Sequence, residues 1–198
     1  MLKSISYIFH PVFMPLLGVL FYFTKSPRFI PQAVIETKLV SLTILTVVLP
    51  LLSILLLKML GKVNSINLPQ AKERILPLII FSIILLIVIK RIITPYDFIE
   101  LYYFFVAILA STMSTLMLNI LNFKSSIHMM AICGVCMFFI GLSIHFSINI
   151  LMSLAIIFFI MGAVATSRLS LKAHNYPELL IGCATGVIPQ LILIPNWL

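Results

Sequence analysis

The run ILPLIIFSIILLIVIKRII, Ile75 to Ile93, carries no charged side chain before Lys90. As a helix it would be roughly 28 Å long at about 1.5 Å per residue, close to the hydrocarbon thickness of a bilayer. Runs of the same kind recur along the chain, and they place helices at 7–24, 38–60, 75–93, 99–122, 128–146, 149–166 and 177–196. They are continuously apolar, whereas membrane strands would alternate in segments of about ten residues, so the spans are helical. Only 9% of the 198 residues are charged, and the mean hydropathy is +1.23, so a soluble core of this size would lack a polar coat. The expected fold is all-α: a polytopic transmembrane helical bundle of about six to seven spans, one integral-membrane domain over residues 1–198. No internal repeat or linker divides it. The opening M-L-K-S run has no small-residue cleavage site and is read as a retained first span.

Pro11 and Pro15 in the first span and Pro50 in the second should kink their helices. The short F-S-I-N-I connection, Phe146 to Ile150, should make a tight hairpin of the fifth and sixth spans. Cys133 and Cys136 form a lone CxxC and, with Cys183, read as small apolar packing residues. Gly182 and Gly186 make a GxxxG that fits close packing inside the bundle and would also fit a homodimer seam. Tyr102 to Phe105 reads as a lipid-facing or interfacial belt. His145, near face B, reads as a capped or lipid-interface histidine, and His10 has no partner visible in the sequence.

Thirteen Lys and Arg against five Asp and Glu give a net charge of +8. Such cations flank spans and meet anionic head groups; they also suit a site for an anionic substrate. They are scattered singly and form no basic stripe, which argues against nucleic acid. Parity sorts them. If Met1 lies on face A, the connections 61–74, 123–127 and 167–176 share that face, and 25–37, 94–98 and 147–148 lie on face B. Three polar segments therefore converge at one end of the bundle: K-E-R-I-L-P (Lys72–Pro77), K-S-S-I-H (Lys124–His128) and S-R-L-S-L-K-A-H-N-Y-P-E (Ser167–Glu178).

Arg168 would be costly in hydrocarbon and should sit at the boundary or in a wet cavity. His174 precedes Pro177, which opens a helix well, so the histidine should lie near a helix N-terminus that favours anions. Glu178, four residues on, can hydrogen-bond one ring nitrogen and set the tautomer. Ser125 or Ser126 suits the N-cap of the fifth helix, beside Lys124 and one turn from His128. In the first segment Lys72 and Arg74 are cationic, and Glu73 could pair with either. Cations, hydroxyls, a carboxylate-oriented imidazole and a second imidazole are what a phosphoryl transfer needs. No aspartate-rich cluster for magnesium appears; the only aspartate is Asp97, on face B.

These residues resemble the signatures of the type 2 phosphatidic acid phosphatase superfamily. Ser167, Arg168, His174 and Glu178 resemble S-R-x5-H-x3-D, with Glu in the last place. Ser126-Ile127-His128 resembles the S-G-H of P-S-G-H. Arg74 resembles the Arg of K-x6-R-P, although Asn67 stands at the Lys position and Lys72 or Lys62 would have to replace it. The resemblance spans residues 62 to 186 and implies roles. His174 would be the nucleophile that forms a phosphohistidine, Glu178 would orient it, and His128 would protonate the leaving group. Arg74, Lys124, Ser126, Ser167 and Arg168 would hold the phosphoryl oxygens, with Lys72 as a further cation.

By the same resemblance no metal or other cofactor is needed. The substrate would be a lipid phosphate such as phosphatidic acid, phosphatidylglycerol phosphate or undecaprenyl pyrophosphate. The rival expectation is an inactive member that binds a lipid phosphate as a scaffold. Two more distant rivals are a metal enzyme with His128, His174 and Glu178 as ligands and a transporter, the latter disfavoured because the polar groups lie at one end. With Lys72, Arg74, Lys124 and Arg168 set aside as site residues, four cations remain on face A against five on face B. Face B would then be cytoplasmic by a margin of one, and the site would face the extracytoplasmic side of a bacterial inner membrane.

Overall fold

The computed structural model describes residues 2–65 and 68–198, with side chains from Ser4 onward. Among the described residues seven helices are long and apolar enough to cross a membrane: Ser4–Lys25, Gln32–Met59, Lys72–Ile92, Ile99–Ile120, Ile127–His145, Leu151–Ser170 and Tyr176–Asn196. The chain is an all-α polytopic membrane protein. The second span starts six residues earlier than expected, because the polar Gln32–Lys38 stretch is helical as well. The sixth runs on to Ser170, so Ser167 and Arg168 sit in its last turn and not in a connection.

Prolines bend the spans where expected, by different means. A residue before proline avoids the helical region; His10, before Pro11, is extended (φ −67°, ψ 139°), and a 3-10 turn Pro11–Phe13 restarts the helix. In the second span the ring of Pro50 would strike the carbonyl one turn back. The helix widens to π geometry over Ile44–Val48 and accommodates it. After the sixth span Lys172 takes a left-handed conformation (φ 51°). Ala173 N–H donates to Arg168 O at 3.1 Å and Lys172 N–H to Leu169 O at 2.9 Å, a Schellman closure. That closure folds His174 back over the turn that carries Arg168.

The fifth span is the most enclosed, packed against the first, fourth, sixth and seventh. Its approach to the seventh is set by glycine. A Cβ on Gly186 would lie 2.1 Å from Met130 O, and one on Gly182 would lie 2.5 Å from Ser126 O. The GxxxG is thus occupied inside the bundle. The expected lipid-facing belt is corrected in part: Phe104 and Phe105 are fully buried, with Phe104 stacked on Phe138 at 4.1 Å. Cys133 and Cys136 are buried as packing residues, and Cys133 Sγ meets Met161 Sδ at 3.1 Å.

On face B, Glu100 is fully buried and ties four elements together. It accepts from Tyr22 Oη at 3.1 Å and Arg28 Nη1 at 3.2 Å, and it lies 3.0 Å from His145 Nε2. His145 is therefore part of an ion-pair cluster, not the interfacial histidine expected from its position. An acid facing hydrocarbon needs such partners. Arg28→Met leaves the carboxylate with Tyr22 and His145 alone. The expected loss is about 3 kcal/mol, read as a drop in unfolding midpoint in detergent.

Candidate functional site

Arg74, Lys124, His128, Arg168, Lys172 and His174 all line one cavity of about 540 Å³ at the face A end of the bundle. Each arrives by a different local device. Arg74 occupies the first turn of the third span and is buried; its Nε donates to Leu68 O and its Nη1 to Ser125 O, both at 2.9 Å. It thereby clamps the connection before the third span to the one before the fifth. Lys124 reaches from the latter connection to Ala173 O at 2.9 Å. Burial, and after it the charge of Arg74, lowers the Lys124 pKa from its usual value. The Arg168 side chain makes no hydrogen bond among the described residues, and its Nε is buried without a partner there. A buried guanidinium nitrogen without a partner is costly, and a charged acceptor would satisfy it.

His174 and Glu178 are positioned by a capping box that the sequence reading missed. Asn175 Oδ1 accepts from Glu178 N–H at 3.0 Å, and the Glu178 carboxylate accepts from Asn175 N–H at 3.4 Å. The same carboxylate oxygen accepts from His174 Nδ1 at 2.6 Å. The extra methylene of Glu over Asp does not break the pair; it lets one carboxylate cap the helix and orient the ring. With the proton on Nδ1, the His174 lone pair lies on Nε2. Burial, then Arg74, Lys124 and Arg168, push the His174 pKa down to about 3, against an opposing backbone contact from Lys124. The carboxylate 2.6 Å away also favours the imidazolium; buried among three cations, the ring is nonetheless neutral at pH 7.

His128 Nε2 lies 3.2 Å from Ser6 O, so Nε2 carries a proton and Nδ1 is the nitrogen left to exchange one. Ser126 is the N-cap of the fifth span: its Oγ accepts from Met129 N–H, and its own N–H donates to Glu178 O at 3.0 Å. That bond joins the first turns of the fifth and seventh spans.

Several expected site residues lie elsewhere. Ser126 and Ser167 are fully buried off the cavity, the first held by its capping role and the second bonded to Ser6 Oγ at 2.8 Å. Lys72 is exposed and does not line the cavity, nor does Lys62; Asn67, at the position of the absent lysine, lies outside the described residues. The further cation at the cavity is Lys172, which is not among the expected phosphate-holding residues. Glu73 pairs with neither neighbouring cation; Asn64 and Gln70 donate to it instead. Ser6 and His10 also line the cavity; the sequence of their own span shows no partner for either that would have placed it there.

The cavity is amphipathic. Beneath the cations it is walled by Phe81, Phe104, Ile108 and Val135, and it reaches Gln190, roughly 20 Å down the seventh span by helical rise. Ser111, Thr112 and Gln190 line this deep part, so polar groups are not confined to the face A end as the sequence reading held. Among the described residues no three His, Cys, Asp or Glu side chains gather into a metal-ligand set. No family model, no curated protein and no solved structure matches the chain.

Proposed function

We propose that this chain hydrolyses the phosphomonoester or pyrophosphate of a membrane lipid through a phosphohistidine. The observation that carries the reading is a neutral His174, held by Glu178 at 2.6 Å, in the same cavity as Arg168, whose guanidinium has no partner among the described residues. Nε2 of His174 attacks phosphorus, and the P–O bond to the lipid breaks. The dianionic phosphoryl group beside His128 favours its imidazolium, and the departing oxygen takes the proton so gained from Nδ1, while Nε2–H stays on Ser6 O. Water then attacks the phosphohistidine, returns a proton to His128 and releases phosphate. Arg168, Arg74 and Lys172 stabilise the charge on the equatorial oxygens. The apolar walls below the cations suit a lipid chain, and the depth of the cavity suits a head group drawn in from the face A boundary.

One observation favours the rival reading of an inactive binder. Arg74 and Lys124 are partly committed to backbone carbonyls, and the Ser126 N–H is taken by Glu178 O. Phosphate release by purified protein in detergent with EDTA separates the two. Prenyl pyrophosphate, phosphatidic acid and phosphatidylglycerol phosphate should be compared with a soluble ester, with turnover expected for a lipid and little for the ester. Binding without release would support the binder, and release abolished by EDTA would support a metal enzyme. The pH profile is a further check. His174 acts in its neutral form and its pKa is held low, so kcat/KM should not fall between pH 7 and 5 on its account. The substrate's own ionisation near pH 6 has to be allowed for. A fall in kcat/KM toward acid pH with a midpoint near the unperturbed value of about 6.5 would contradict the assignment.

A further inference from the structure

His10 lines the same cavity as His128, Arg168 and His174, and its ring meets that of His128 edge to face at 5.6 Å. It is there because Pro11 disfavours a helical His10, which is extended in the structure. The chain leaves the helix for one residue, and the side chain turns to cap the 3-10 turn. Val12 N–H donates to His10 Nδ1 at 3.3 Å. Because Nδ1 accepts, the ring's proton lies on Nε2, and Nε2–H has no partner among the described residues.

The two histidines of this pair therefore present opposite chemistry. His128 faces a carbonyl through Nε2, which leaves Nδ1 to gain and lose a proton. His10 faces an N–H through Nδ1, so the cavity meets a fixed donor. Giving that proton up would leave an imidazolide, so His10 holds a ligand and does not shuttle protons. We infer that His10 is a further anion-binding residue, a neutral Nε2–H donor to an oxygen of the phosphoryl group bound by Arg168 and Arg74. A donor of this kind resists protonation yet binds oxyanions, and it leaves proton transfer to His128 alone. The inference rests on the phosphate reading of the cavity.

The test is binding, measured apart from turnover. Orthovanadate and phosphatidic acid are titrated by calorimetry into the purified full chain in detergent, for wild type, His10→Asn and His10→Ala. Asn keeps an oxygen able to cap Val12 N–H but cannot reach as far as Nε2–H; Ala loses both functions. Loss of a hydrogen bond to a charged ligand should weaken both ligands about 10- to 100-fold in both variants, with unfolding midpoints close to wild type for Asn. Weakening in Ala alone would make His10 a cap and overturn the inference, as would unchanged affinity in both variants. If wild type binds neither ligand, the phosphate reading itself fails, and that outcome is distinguishable from the others. A pH–rate profile that loses its proton-donor limb in His10→Asn would instead make His10 the acid, which also overturns the assignment.

Discussion

Replacing His174 with alanine should abolish phosphate release, lowering kcat by about 10⁴-fold or more while leaving vanadate affinity within about tenfold of wild type. The two halves of that expectation have different causes. The nucleophile supplies the bond that forms, and its removal closes the covalent route altogether. In the proposed mechanism an oxyanion would be held by Arg168, Arg74 and Lys172, which line the cavity together with the imidazole. Glu178→Gln should be milder, about 10²- to 10⁴-fold, because an amide can present its N–H to the ring and favour the wrong tautomer. It should also loosen the first turn of the seventh span, since the same carboxylate caps it. A lipid phosphatase that survives His174→Ala with its rate intact would use another nucleophile, and the phosphohistidine reading would be lost.

Gly186→Val should be the most damaging single substitution for stability. The new Cβ would stand 2.1 Å from Met130 O, a backbone atom of the central span that cannot turn aside. The fifth and seventh spans must then separate, at a cost of about 3 kcal/mol or more. Their separation pulls Ser126 N–H from Glu178 O, and with it the register of His128 against His174. Loss of stability and loss of activity should therefore appear together, read as the unfolding midpoint in detergent and as phosphate release on the same preparation. Gly162→Ala is the control. Nothing lies within 4 Å of a Cβ there, so this change should be neutral or slightly stabilising. Equal effects from the two substitutions would show that the close approach is not what holds these spans.

Hydropathy alone determined the number of spans and, by parity, which connections meet at one end. Both are local properties, because each run must match the bilayer thickness and each span carries the chain to the opposite face. The spacing of His174 and Glu178 was legible for the same reason: four residues bring two side chains together at a helix start whatever surrounds them. What only the tertiary structure decided is how each helix is rotated and how closely it approaches its neighbours. That is why Lys172 lines the cavity while Lys72 does not, why Ser126 and Ser167 turn into packing and capping, and why Glu100 gathers Tyr22, Arg28 and His145. His10 is the sharpest case. Pro11 announces a break in the sequence, but where the displaced ring points depends on a span more than a hundred residues away.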